Sequence, residues 1–324
     1  MSENFLIQLM DVSKIFGYGF LGRVKFPAVD HVSLNVENKP KIFTVAGESG
    51  CGKTTLARMI LGIIEPSEGE IIYKNKNINE LTSKEKMWFS KEVQGIFQDP
   101  YDTFNPLKNV ETYLYETAKN LLGLKDHEEA SKRVDETLNF VGLSIKDIKS
   151  KRPSEFSGGE LQRVSIARSL IPKPRIMIVD EPVSMIDVSM RMNILNMFKD
   201  LRDKEEISFI YITHDLATAY YISDDIAIMY RGVIVETGPA EKVLLERYHP
   251  YTKALIEALP EYDKRGEWSV KRARPPGIEV KEFVMPYCKY AHVCPFKIDI
   301  CTEKRPPEFN VNGVKVSCWL YKNK

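Results

Sequence analysis

Apolar positions along this chain fall into two rhythms. Residues 5–12 and 29–37 alternate weakly between apolar and polar and read as strands, joined by a loop rich in glycine and aromatic residues. The run from Lys41 to Ala46, bounded by Pro40 and Gly47, predicts a strand buried on both faces, as do Arg175 to Val179 and Ser208 to Thr213. Glu68 to Tyr73 reads as a turn into a strand. Helical spacing marks 53–64, 158–170, 189–203 and 250–258. Across 109–141, Leu114, Ala118, Leu121, Leu122, Val134, Leu138 and Val141 recur with charges between them, predicting two or more amphipathic helices. Strands alternating with helices predict an α/β core with a mainly parallel sheet. Beyond Pro260, glycine and proline recur, and the remainder reads as loop-rich and short of core residues.

Composition narrows the classes. At 324 residues and 43% apolar the chain can bury one large core and a smaller one. Its 46 basic and 45 acidic residues leave a net charge of +1, so nothing favours a nucleic-acid partner. No apolar run is long enough to span a bilayer, and the N-terminus has no basic n-region or signal core. The expected location is therefore the cytoplasm, with any membrane role exercised through partners.

Three motifs carry chemistry. Gly47-Glu48-Ser49-Gly50-Cys51-Gly52-Lys53-Thr54, followed by Thr55, matches the G-x-x-x-x-G-K-[ST] phosphate loop and lies between an apolar strand and a helix. Its backbone N–H groups can cradle a β-phosphate, Lys53 can reach the β- and γ-phosphates, and the Thr54 hydroxyl can ligate Mg²⁺. About a hundred residues later, Ser157-Gly158-Gly159-Glu160 opens a helix. Ser157 and Glu160 have the spacing of a capping box, and a helix N-terminus attracts anions. Third, Ile176 to Val179 forms an apolar strand ending in Asp180-Glu181, where open α/β sheets bind ligands.

These motifs, in this order, resemble an ATP-binding-cassette (ABC) ATPase, and the resemblance covers nearly the whole chain. It implies a core with a mixed sheet at 1–107 and 171–258, begun by antiparallel strands, an inserted helical subdomain at 108–170, and a small cysteine-containing extension at 259–324. It implies ATP and Mg²⁺ as ligands, with Thr54, Gln98 and Asp180 at the metal. Glu181 would polarise the attacking water, and His214 would touch the γ-phosphate. Asp187, in Ser184-Met185-Ile186-Asp187, resembles the family's D-loop, and Phe16 occupies its adenine-stacking position. Ser157, Gly158 and Gly159 would act on ATP held by a second ATPase subunit.

The segment Phe97 to Pro106 and the run His249-Pro250-Tyr251-Thr252-Lys253-Ala254-Leu255 resemble the oligopeptide/dipeptide importer class. Tyr101 and the 17–26 loop lean toward its F-type subunit. That resemblance implies two permease subunits, an extracytoplasmic binding protein, and a peripheral place at the cytoplasmic face of the membrane. Oligosaccharide or nickel import uses the same machinery. Soluble ABC proteins of translation or DNA repair, and P-loop nucleotide kinases, are the competing classes.

Cysteine is uneven: of five, one is Cys51 and the rest are Cys288, Cys294, Cys301 and Cys318. Four thiolates suit zinc or iron–sulfur. Their spacing lacks zinc knuckles, and Cys294-Pro295 is similar to the Cys-Pro of ferredoxin runs, so a [4Fe–4S] cluster is the expectation and zinc the alternative.

Overall fold

The structure is a computed structural model that describes residues 4–18, 24–184, 186–258 and 283–322. Its strands are β1 (Phe5–Tyr18), β2 (Val24–Glu37), β3 (Ile42–Ala46), β4 (Glu68–Tyr73), β5 (Lys76–Asn77), β6 (Val93–Ile96), β7 (Ile176–Asp180), β8 (Ser208–Thr213), β9 (Asp225–Tyr230), β10 (Val233–Pro239), β11 (Phe309–Val311) and β12 (Val314–Val316). Its helices are α1 (Lys53–Ile60), α2 (Ser83–Glu92), α3 (Val110–Thr117), α4 (His127–Phe140), α5 (Ile145–Ile148), α6 (Gly158–Leu170), α7 (Val188–Lys204), α8 (Leu216–Ile222), α9 (Ala240–Glu246) and α10 (Pro250–Glu257).

The main sheet has the order β11-β12-β10-β9-β3-β8-β7-β6. The five strands from β9 to β6 are parallel, and β10, β12 and β11 add antiparallel at one edge, so the sheet is mixed. Every residue of β3, β7 and β8 is buried, as helices and a second sheet cover both faces. The period of two sorts their side chains between two cores. Met177, Val179, Phe209 and Tyr211 face a core shared with Val110, Leu114, Val134 and Leu138 of the helical region. Ile176, Ile178, Ile210 and Ile212 face one shared with α1 and the antiparallel sheet β2-β1-β4-β5.

Two expectations change. The ends of the expected 17–26 loop are strand: β1 runs to Tyr18 and β2 starts at Val24, with Phe16 opposite Phe26 and their ring centroids 6.0 Å apart, while residues 19–23 lie outside the described residues. Cross-strand aromatic pairs stabilise such a ribbon beyond what weak alternation suggests. The described part of the C-terminal segment, 283–322, also joins a core, while 259–282 lie outside the described residues. Strand β12 pairs with β10 (Glu236 with Val316, Thr237 with Lys315), and Tyr290, Val314, Val316 and Cys318 share a core with Ala46, Leu216 and Tyr230. Its few apolar residues suffice because they complete an existing sheet edge. Among the described residues, no helix is long and apolar enough to cross a membrane.

Candidate functional site

The loop between β3 and α1 is held from all sides. Lys53 is buried, and its Nζ donates to the Gly47 and Glu48 carbonyls at 2.8 and 2.9 Å. A side chain at Gly47 would place a Cβ 2.2 Å from the Met229 carbonyl oxygen, and one at Gly52, where φ is +114°, would place it 2.1 Å from that of Ala28. Both positions require glycine because the loop is pressed against backbone. Ser49, Gly50 and Thr54 are exposed and Thr55 is half-buried. Cys51 points inward with Sγ 3.8 Å from Lys53 Nζ, and burial pushes its thiol pKa up.

Asp180 closes β7 beside this loop. Burial raises its carboxyl pKa, and the neighbouring Thr54 hydroxyl opposes that rise. Its Oδ1 is buried with no hydrogen-bond partner. Thr54, Gln98 and Asp180 line one pocket of about 410 Å³, together with Arg58, Asp99, Asp102 and Thr103. A buried, unpartnered carboxylate oxygen beside a hydroxyl and an amide is a donor set of hard oxygens that fits Mg²⁺.

Glu181 follows in a left-handed backbone conformation, φ +48°. Its N–H donates to the Ile212 carbonyl at 2.9 Å, and its own carbonyl accepts from the Ser184 hydroxyl at 2.9 Å. Strain of this kind persists only where surrounding bonds fix it. Its Oε1 lies 2.8 Å from Nδ1 of His214, which stands at the end of β8, the next strand over. The carboxylate is largely covered while the imidazole is half exposed.

The third motif sits elsewhere. Ser157 caps α6: the Glu160 N–H donates to its hydroxyl at 3.2 Å, and its own N–H donates to Glu160 Oε2 at 2.9 Å. These bonds hold the Glu160 carboxyl pKa down. Ser157 is exposed, and neither it nor Gly158 nor Gly159 lines the pocket of Thr54 and Asp180. A Cβ on Gly159 would lie 3.7 Å from Ile186, so this cap adjoins Asp187, the N-cap of α7. The Tyr101 hydroxyl donates to the Phe156 carbonyl at 3.0 Å and ties the segment after Gln98 to the cap. Phe16 is partly exposed on the β1–β2 ribbon, against Phe26 and with Lys14 Nζ 5.7 Å from its ring centre.

The four C-terminal cysteines converge in part. Burial pushes the Cys288 thiol to about 11 and the Cys318 thiol to about 12, and each is raised further by the other cysteines; Cys294 is raised as well. No three His, Cys, Asp or Glu side chains among the described residues converge tightly enough to hold a single metal ion. The metal centre expected from sequence thus has neighbouring thiols but no assembled mononuclear site.

Sequence reasoning missed Arg58, Asp99, Asp102 and Thr103 in the pocket wall and Asp30 and Tyr251 behind the loop. Arg58 lies one turn beyond the phosphate loop on α1, a position the motif itself does not specify. Tyr251 stood in a recognised run, yet nothing in its spacing pointed to Glu48.

Comparison with known proteins agrees with this geometry. Residues 29–184 match the ABC transporter family, and residues 235–301 match the oligopeptide/dipeptide transporter C-terminal region. The chain is 36% identical over 323 residues to the putative oligopeptide transport ATP-binding protein YkfD of Bacillus subtilis, covering 98% of this chain and 97% of that one. It is 39% identical over 261 residues to the oligopeptide transport ATP-binding protein AmiF of Streptococcus pneumoniae, covering 80% and 83%. Among solved structures, the ATP-binding cassette MJ0796, a dimer in a post-hydrolysis state with ADP and Pi, superposes with TM-score 0.65 at 26% identity, covering 72% of this chain and 98% of that one. With one relative matched almost end to end, this chain belongs to the ABC transporter ATP-binding proteins that carry the oligopeptide/dipeptide transporter C-terminal region.

Proposed function

We propose that this chain is the ATP-hydrolysing subunit of a membrane importer of oligopeptides or dipeptides, of the F type, at the cytoplasmic face of the membrane. The observation that carries the reading is the convergence of Thr54, Gln98 and Asp180 on one pocket, with Lys53 held in the adjoining loop and the Glu181–His214 pair on the adjoining strand ends. The oligopeptide transport names of its relatives support the cargo.

Lys53 and the N–H groups of residues 48–54 bind the β- and γ-phosphates of ATP. Thr54, Gln98 and Asp180 would hold Mg²⁺, which when bound supplies positive charge to the phosphate oxygens. Glu181 takes a proton from water as its oxygen attacks the γ-phosphorus and the bond to the β-phosphate oxygen breaks. His214, fixed through Nδ1, presents its other ring nitrogen to the γ-phosphate. Phe16 stacks on adenine. Ser157, Gly158 and Gly159 face outward and complete the site of a second ATPase subunit arranged head to tail, with Asp187 at the junction. The helical region 108–170, tied to Gln98 through Tyr101 and Phe156, tilts when both its ends engage nucleotide, and the permease docks beside 98–106. An extracytoplasmic binding protein delivers the peptide.

Cys288, Cys294, Cys301 and Cys318 would hold a [4Fe–4S] cluster, which when bound cross-links the C-terminal segment at four points. What supports a cluster over zinc is the spacing, which lacks zinc knuckles, and the Cys294-Pro295 pair. Iron and acid-labile sulfide in anaerobically purified protein test this part.

The whole reading is tested in vesicles that hold the two permeases and both ATPase subunits. Peptide with its binding protein should raise ATP turnover and accumulate inside. Turnover indifferent to every peptide tried, with another solute stimulating it, would overturn the cargo. Failure of Tyr101 substitutions to separate turnover from transport would overturn the docking site; Phe104, expected beside it, is buried in a core and tests packing instead.

A further inference from the structure

The back of the phosphate loop is built partly from the C-terminal segment. One route starts at Asp30 on β2, which is 6% exposed and pairs with Lys289 Nζ at 2.8 Å and Arg305 Nη2 at 2.6 Å. Lys289 is itself 4% exposed, so this is a buried pair. The Asp30 N–H donates to the Gly232 carbonyl at 2.9 Å, and the Gly232 N–H donates to the Cys51 carbonyl at 2.8 Å. Displacing Lys289 therefore pulls on a strand and a turn that are bonded directly to the loop.

The second route runs through aromatic rings. Tyr290 packs against Tyr230 and Tyr251 with centroids 5.3 and 5.6 Å away, and Tyr251 lies 4.5 Å from Tyr230. The Tyr251 hydroxyl accepts from the Glu48 N–H at 3.2 Å. That N–H belongs to the peptide whose carbonyl, Gly47 O, accepts from Lys53 Nζ at 2.8 Å. The Gly47–Glu48 peptide is thus gripped at both ends, by Lys53 on the phosphate side and by Tyr251 behind. Packing alone would be met by phenylalanine; the hydroxyl adds orientation. Without it the peptide can rotate and carry away the carbonyl that aims Lys53. His249 holds Tyr251 in place, since its Nδ1 accepts the Tyr251 N–H at 3.0 Å.

We propose that Tyr251 and Asp30 are positioning residues of the phosphate loop, and that through them the C-terminal cysteine segment sets how tightly the loop holds nucleotide. This rests on the nucleotide-site reading above. Lys289 and Tyr290 immediately follow Cys288, so whatever orders or disorders the cysteines reaches the loop by both routes.

Tyr251→Phe keeps the ring and removes only the acceptor. In the full-length chain assembled with its partner ATPase, KM for ATP should rise about three- to tenfold, the size of one hydrogen bond. Turnover at saturation should stay at its unmodified value. A purely structural tyrosine would instead lower the melting temperature and leave KM where it was. The double variant Asp30→Asn/Lys289→Met removes the buried charge together with its buried partner, leaves the partly exposed Arg305 to solvent, and should raise KM in the same direction. Lys53→Ala separates the two readings. If Lys53→Ala abolishes ATP binding while Tyr251→Phe leaves KM unchanged, positioning by Tyr251 is wrong and the nucleotide site stands. If Lys53→Ala still binds ATP normally, both readings fall. A KM raised by Tyr251→Phe but untouched by the Asp30/Lys289 double variant would sever the C-terminal segment from the loop and overturn the regulatory half.

Discussion

The nucleotide site and the C-terminal cysteine segment are opposite ways of building with sequence. In the first, each part is local: strand β3 leads into its loop, β7 ends in Asp180-Glu181, and β8 is followed at once by His214. Strand ends in a parallel sheet lie side by side at about 4.8 Å, so motifs far apart in sequence meet without further instruction. In the second, no stretch carries the design. Cys288, Cys294 and Cys318 border one core because β12 completes the edge of β10 and Tyr290 enters a core begun by Tyr230 and Tyr251. The difference teaches that chemistry placed by a sheet can be read from motifs, whereas chemistry placed by docking depends on contacts no motif records.

The comparison can be broken most forcefully at Lys53. Lys53→Ala removes the charge on the phosphates and both carbonyl bonds, so turnover should fall by at least about 10²-fold, as when a preorganised transition-state donor is lost. Normal turnover, measured by phosphate release, would break the nucleotide half.

The docked half is tested through the iron–sulfur cluster proposed above, by removing its iron. Anaerobic chelation of purified protein should lower the melting temperature, by about 2–4 °C for each kcal/mol of lost stability in a domain of this size. Turnover at saturating ATP should be unchanged, because no cysteine of the segment lines the nucleotide pocket. Identical melting before and after chelation would remove the cluster from the account.

A smaller effect sharpens the junction between the two regions. Glu236 on β10 is 1% exposed and accepts N–H bonds from Tyr248 and His249 at 3.0 Å each. Burial pushes its carboxyl from 4.5 to about 7. Between these values the folded chain keeps a proton that the unfolded chain has lost, so stability falls as pH rises through the window and stays low above it. Buried His249 shifts the opposite way, to about 3, and its contribution cancels when two proteins that both contain it are compared. Glu236→Gln should therefore gain on the unmodified chain as the pH is raised through that window, at a rate of about 1.4 kcal/mol per pH step of one. Denaturant melts at a series of pH values from about 5 to about 8 check this, and a constant difference would refute it.

The smallest effect separates a cap that only caps from one with a second duty. Thr82 and Ser157 each head a capping box, with Glu85 and Glu160. Alanine at either should cost about 1 kcal/mol. Only Ser157→Ala should also slow turnover. Equal stability losses with equal, normal turnover would reduce Ser157 to a cap.

Legibility followed the same divide. The buried strands at 42–46, 176–180 and 208–213 and the helices at 158–170 and 188–204 lie where apolar runs and helical spacing place them. The meeting of Thr54 and Asp180 was foreseeable once those strands were taken as parallel neighbours, whereas Gln98 follows the four-residue β6, which sequence reasoning missed, and was expected there only through the family resemblance. Three things were not. The β1–β2 ribbon through Phe16 and Phe26 depends on cross-strand pairing, which a single strand's pattern does not contain. The three-residue strands β11 and β12 at the sheet edge make their case only by pairing. The hydrogen bond from Glu48 to Tyr251 joins residues 203 apart in sequence, and a buried tyrosine reads as core.

The central claim is that Glu181 draws the proton from the attacking water while the loop around Lys53 binds ATP without its help. Glu181→Gln keeps the size of the side chain and its contact with His214 but removes the base. Equilibrium ATP binding and single-turnover hydrolysis should be measured on one preparation of this variant with its partner ATPase. The account predicts unchanged ATP affinity, a stable closed pair, and hydrolysis slowed by about 10²-fold or more. Hydrolysis near the unmodified rate, with ATP affinity intact, would contradict it.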